Sequence, residues 1–156
     1  MFGFFKKYDV HLCSAVSGRI LNNGEPIANT KVKRELYYTD EKTRIDSTLT
    51  DENGCFTLQS IDVRSRTPDS WLCEARTTQI ISTMFENVHY KLWFASFHGT
   101  VSNAAYDKKL SQLNADLINP NVYFTFKNIE VPHVPYGASS ICRWETDFEI
   151  QHIIED

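Results

Sequence analysis

Two stretches close together decide how this chain folds: Ser17-Gly-Arg-Ile-Leu-Asn-Asn-Gly-Glu-Pro-Ile-Ala-Asn-Thr-Lys-Val32 and Thr50-Asp-Glu-Asn-Gly-Cys-Phe56. Asn23-Gly24 is a tight-turn dipeptide, because both residues tolerate positive φ, so the spacing predicts a hairpin closed at Gly24-Glu-Pro26. Ile27 and Val32 then face a core. In the second stretch Asp51 and Asn53 can bond turn amides, Gly54 can take positive φ, and Phe56 follows as a core plug.

The same grammar extends in both directions. Tyr8–Cys13 alternates polar and apolar residues, and Thr30–Tyr38 puts Val32 and Leu36 on one side of the pleat with charge on the other. Arg44–Thr50 and Cys55–Leu58 continue the pattern. Residues 61–76 break it; Asp69 or Ser70 would cap a short helix from Trp71 to Arg76. Thr78–Phe85 and His89–Phe97 flank Glu86-Asn-Val88 as one hairpin, and Leu113–Ile118 and Val122–Phe126 flank Asn119-Pro-Asn121 as another. Tyr106–Leu113 reads as a helical turn or a loop, and Ile141–Ile150 as the last strand. Short strands at this spacing predict an all-β sandwich in a single domain, residues 1–156.

Composition agrees. The chain has 156 residues, 42% hydrophobic and 13% aromatic, with a net charge of -4. Such a charge disfavours nonspecific nucleic-acid binding, which needs a basic surface. No run approaches the ~18 apolar residues of a membrane helix, and the start, Met1-Phe-Gly-Phe-Phe-Lys-Lys, lacks the order of a secretory signal, so a cytoplasmic location is expected. Phe2, Phe4 and Phe5 read as an apolar strand or as a membrane contact. Cys13, Cys55, Cys73 and Cys142 form no C-x-x-C pair; they read as buried thiols or as one disulfide.

The quoted stretches resemble the carboxypeptidase regulatory-like, transthyretin-like (prealbumin-like) domain, whose members share a G-x-V/I strand, an "nGxPlaxaxV" turn and a "TDxxGxF" turn. The resemblance covers residues 15–60. It implies an antiparallel β-sandwich, here with extra C-terminal hairpins and at most one short helix. The whole chain is also similar to an uncharacterised family of short bacterial proteins that open with F-K-K-Y-x-V-x-L. Some transthyretin-like proteins hydrolyse hydroxyisourate and end in Tyr-Arg-Gly-Ser; the last residues here are Ile153-Ile-Glu-Asp156, so that activity is not expected.

Catalytic signatures are missing from the linear sequence. His11, His89, His98, His133 and His152 are scattered, with no close pair to hold a metal. Asp51-Glu-Asn-Gly54 lacks the flanking ligands of a calcium loop, and Gly137-Ala-Ser-Ser-Ile141 lacks the second glycine of a nucleophile elbow. No cofactor and no metal are expected. An enzyme without a linear motif is one alternative. A carbohydrate-binding sandwich stacking sugars on Trp71, Trp93 or Trp144 is another.

Two features point to binding. From Trp144 onward the chain holds five acids and no Lys or Arg. Alternation puts Trp144 on one face and Glu145, Asp147 and Glu149 on the other, as a charged edge strand or as a docking face for a basic partner. Around the excursion, Arg64, Arg66 and Trp71 combine residue types enriched at interfaces, or else form a loop that closes the sandwich. The expectation is a non-catalytic protein-binding module: an immunity protein that neutralises a bacterial toxin, or an adaptor that docks one.

Overall fold

The computed structural model describes residues 7–66 and 74–155. The elements in chain order are β1 (Tyr8–Cys13), β2 (Val16–Asn22), β3 (Glu25–Pro26), β4 (Lys31–Tyr38), β5 (Thr43–Leu49), β6 (Cys55–Leu58), β7 (Ile61–Ser65), β8 (Arg76–Phe85), β9 (Val88–His98), α1 (Ala104–Leu110), β10 (Ala115–Asp116), β11 (Val122–Phe126), β12 (Tyr136–Ser140) and β13 (Glu149–Ile153). The fold is an all-β sandwich with one short helix. One layer is a seven-stranded antiparallel sheet in the order β13-β11-β12-β9-β8-β4-β5. The other comprises β2 with β3, β6 and β10, and the ribbon β1-β7.

One hydrophobic cluster joins the layers. Val10, Leu12, Ile20 and Phe56 meet Val32, Leu36, Ile81, Trp93 and Phe124 in it. Gln79, buried on β8, spans the interior: its Nε2 donates to the Leu12 carbonyl at 2.9 Å, and its Oε1 accepts from Trp93 Nε1 at 2.9 Å. Buried polar groups persist only when paired, and here one amide satisfies a backbone carbonyl of one layer and an indole of the other.

The turns form as their residues dictate. Asn23 and Gly24 take positive φ, and the Asp116 carboxylate accepts both of their N–H groups. Glu86 and Asn87 also take positive φ, which suits the two-residue turn between β8 and β9. Gly18, in the quoted stretch, is needed for a different reason: a Cβ there would collide with the Leu113 carbonyl oxygen, so its absence lets the segment after α1 lie on β2.

Several expectations are corrected. The Leu113–Ile118/Val122–Phe126 hairpin does not form; β10 pairs in parallel with β2, and the chain then crosses to the other layer. Leu113 and Leu117 donate to Ser17 and Leu21 carbonyls, which fixes that register. The helix is Ala104–Leu110, capped by Asn103 Oδ1; of the helix expected from Trp71 to Arg76, residues 71–73 lie outside the described residues, and Arg76 begins β8. Residues 61–65 are regular strand paired with β1. The last strand is Glu149–Ile153 instead of Ile141–Ile150, and β12, whose Tyr-Gly-Ala-Ser-Ser has little intrinsic β preference, was not anticipated. Arg34 breaks the expected charge alternation of β4: it shares the core face with Val32 and Leu36, fully buried, and its Nε and Nη2 donate to Asp46 at 2.9 and 2.6 Å. Cys13, Cys55 and Cys142 are free thiols. Cys55 is exposed, whereas burial pushes Cys13 up to about 11 and Cys142 up to about 12. The N-terminal phenylalanines and Cys73 lie outside the described residues.

Replacing Gln79 with Leu strands the Trp93 indole N–H and the Leu12 carbonyl together. The expected loss is about 3 kcal/mol of stability, read as a lower urea midpoint, because each orphaned group carries its own desolvation penalty. Thr78→Ala, on the opposite face of the same strand, should leave the midpoint nearly unchanged.

Candidate functional site

The register of the seven-stranded sheet defines its outer face. On β8, Thr77, Gln79 and Ile81 point into the core and Thr78, Ile80 and Met84 point out; pairing with Lys33 puts Ser82, itself buried, on the outer face too. Pairing carries this across the neighbours. Ile80 stands between Phe94 of β9 and Glu35 of β4, and Glu35 faces Ile45 of β5. Ser82 stands between Lys91 and Lys33, and Lys33 faces Ser47. Met84 faces His89, and Lys31 faces Leu49.

No element among the described residues is paired over this face, and large apolar side chains stand in water on it. Met84 is 60% exposed, Ile45 59%, Leu49 57%, Tyr37 38% and Phe94 36%. Single exposed apolar residues are ordinary; here five share one face, interspersed with Lys31, Lys33, Glu35 and Lys91. The charges among them are lysines: Lys31, Lys33 and Lys91, the last with its Nζ 5.1 Å from the Phe94 ring centre. Glu35 is already engaged. Its carboxylate accepts from Tyr37 Oη at 2.6 Å and from Lys33 Nζ at 2.9 Å. The tyrosine hydroxyl first, and the lysine second, hold the Glu35 carboxyl below the usual carboxylate range.

The residues singled out from sequence fall elsewhere. Trp144 is 8% exposed; its ring packs on Trp93, Phe124 and Phe148, and its Nε1 donates to the Lys109 carbonyl at 3.2 Å. It is core and not a contact residue. Trp93 is also fully buried, so neither of the two is a sugar-stacking platform; Trp71 lies outside the described residues. Glu145, Asp147 and Glu149 do not form one strand face, because Asp147 sits at positive φ in a bend and only Glu149 belongs to β13. Asp147 Oδ1 accepts the Lys127 N–H at 2.8 Å. Asp147 and Glu149 line an open groove of about 680 Å³ with Phe126, Lys127, Pro132 and Pro135. All of β13 is exposed and it is the outermost strand, which suits charged residues that discourage edge pairing. Arg64 and Arg66 are exposed in the other layer, on β7 and just after it; Arg64 Nη2 donates to the Lys7 carbonyl at 3.2 Å.

A second polar cluster was invisible in the sequence because its two carboxylates, Asp62 and Asp107, lie far along the chain from His11 and Ser14. His11 Nδ1 lies 2.7 Å from Asp62 Oδ1, His11 Nε2 lies 2.8 Å from Ser14 Oγ, and Ser14 Oγ donates to Asp107 Oδ1 at 2.6 Å. The first three groups have the spacing of an acid–base–nucleophile triad. The fourth argues against that use. A nucleophilic serine must aim its one proton at the imidazole, and here a second carboxylate takes it and would repel charge developing on the oxygen. The cluster instead ties β7, β1 and α1 together, beside the bond from His11 N–H to the Thr100 carbonyl at 2.8 Å. No group of three or more metal-capable side chains is found among the described residues. No helix among them is long and apolar enough to cross a membrane.

Residues 16–120 match a protein-family model described as a domain of unknown function, DUF6795. The chain belongs to that family. The matched span runs from β2 to the loop before β11 and includes β4, β5, β8 and β9, the four strands that carry the exposed apolar face. No curated protein and no solved structure matches the chain.

Two measurements check this geometry. In a carbon-detected titration, Tyr37→Phe should move the Glu35 pKa upward, since it removes the leading donor to the carboxylate. Because the folded pKa is the lower one, the stabilisation is present above the unfolded-state pKa and fades as pH falls through the folded value. Ser14→Ala should lower stability by about 1–2 kcal/mol and speed amide exchange in α1. It should leave any background hydrolysis of p-nitrophenyl acetate unchanged; a loss would restore a nucleophilic role.

Proposed function

We propose that this protein is a non-catalytic protein-binding module that uses the outer face of its seven-stranded sheet. The carrying observation is that uncovered face, with Ile45, Leu49, Met84 and Phe94 exposed on adjoining strands. Strands hold such side chains in fixed positions, so binding them costs little ordering entropy. The hydrogen-bonded sheet beneath supplies a rigid platform. Supporting this reading over catalysis, the one triad-like cluster is arranged as a clasp.

The test compares the parent chain with the triple variant Ile45→Asn/Leu49→Asn/Met84→Asn as bait in lysate of the native host. A stable partner should be held by the parent and bound at least tenfold more weakly by the variant, with the unfolding midpoint of the variant unchanged. A second variant, Glu145→Lys/Glu149→Lys, should leave that affinity intact. Recovery of no partner, or equal capture by parent and triple variant, removes the proposal; loss in the second variant alone returns the site to the acidic C-terminal run. Neutralising or docking a toxin is the specific form of binding that the gene neighbourhood tests, through the presence of an adjacent toxin-domain gene.

A further inference from the structure

Resting on the protein-binding reading above, we infer that the partner presents to this face a protein segment in which carboxylates and large apolar side chains alternate along one side. Register and charge carry the inference. Lys33 and Lys91 stand on either side of Ser82, two strands apart, which places their stems about 10 Å from each other. Lys31 follows on the same side of β4, next to Leu49. Apolar residues fill the gaps: Phe94 and Ile80 form one row with Ile45, and Met84 lies one row beyond Lys91.

Two of the three lysines, Lys31 and Lys91, have no carboxylate partner among the described residues of this surface, whereas Lys33 pairs with Glu35 at 2.9 Å. Among the described residues of β4, β5, β8 and β9, Glu35 is the one carboxylate on the outer face, and Tyr37 and Lys33 already occupy it. Arg76, at the end of β8, is turned to Ser96 Oγ at 2.9 Å. Lys31 and Lys91 therefore face outward without an acid across the sheet. Lys31 and Lys91 stand two strands and one row apart, about 12 Å, a spacing met by carboxylates on the first and fifth residues of an extended segment, which share a side, at about 3.3 Å per residue.

Other occupants fit less well. Two copies meeting face to face would gather six lysines in one interface, against a single Glu35 from each copy's four strands. A phosphate polymer or an anionic membrane would meet three lysines embedded in a chain of net charge -4. Such ligands draw their affinity from many cations at once. A mixed acidic and apolar protein segment uses both components of the face.

The experiment uses the whole chain, immobilised, and a phage-displayed random twelve-residue peptide library as the probe. Selection should enrich peptides rich in Asp or Glu and in large apolar residues, with affinity that falls as salt rises. Lys31→Gln/Lys33→Gln/Lys91→Gln should weaken those peptides about tenfold and flatten the salt dependence, while circular dichroism and the unfolding midpoint report an intact fold. Peptides that need Ile45, Leu49 and Met84 but carry no acid excess, and that bind the glutamine variant equally, overturn the partner chemistry and leave the binding face standing. Peptides indifferent to Ile45→Asn/Leu49→Asn/Met84→Asn, or no enrichment at all, overturn both. Dimerisation through this face in light scattering overturns the inference. So does tighter binding to phosphatidylglycerol vesicles or to a single-stranded oligonucleotide than to any selected peptide.

Discussion

Gln79 is the hinge on which the sandwich is organised. A buried primary amide has donors and an acceptor to satisfy, and it can do so only where the two layers approach in one register. Its Nε2 takes the Leu12 carbonyl of β1 and its Oε1 takes the Trp93 indole of β9, so the β1-β7 ribbon, β8 and β9 are locked by a single side chain. A slip of one residue on β8 would turn Gln79 to solvent and carry Ile80 inward. The inward set of β8 is thereby specified, and with it the outward set that contributes Met84 to the exposed face.

The aromatic side chains complete the same division. Trp93 packs edge-on against Tyr106 of α1 and Trp144, and Phe124 packs against Trp144 and Phe148. This cluster fills the end of the sandwich under α1. Lys109 is drawn into it, its Nζ donating to the Thr146 carbonyl at 3.0 Å and lying 5.3 Å from the Trp144 ring centre. Burial lowers the Lys109 pKa, with Asp147 opposing the shift. At this end the rings are consumed in the core; on the outer face of β4, β5, β8 and β9 no helix or second sheet among the described residues is paired, and Ile45, Leu49 and Met84 are exposed. The sheet thus has a covered inner face that consumes its rings and an outer face that leaves apolar side chains exposed.

Much of the fold was legible in local chemistry. Asn23-Gly24, the Asp51–Gly54 turn and the β8-β9 hairpin were readable because their φ requirements are met by residues next to each other in the chain. The candidate site was less so. Trp144 and the acids after it looked like one alternating strand, yet Asp147 at positive φ breaks the alternation, and the tryptophan is taken by Trp93 and Phe124. Ile45, Leu49, Met84 and Phe94 looked like ordinary strand residues, since alternation marks two faces without saying which one a second layer will cover. The His11–Ser14–Asp107 clasp had no signal at all, as its members are brought together only when α1 docks beside β1.

The sequence by itself determined that this chain is a β protein with three specific turns, because turn residues and period-two alternation act over a few neighbours. The tertiary structure alone decided the rest. It set β10 beside β2 rather than β11, put Arg34 inside and Phe94 outside, and chose which lysines share a surface. Those outcomes depend on which strands pair and which face is covered, and pairing between distant strands is fixed by the buried requirements of residues such as Gln79 and Trp93 acting on the whole assembly.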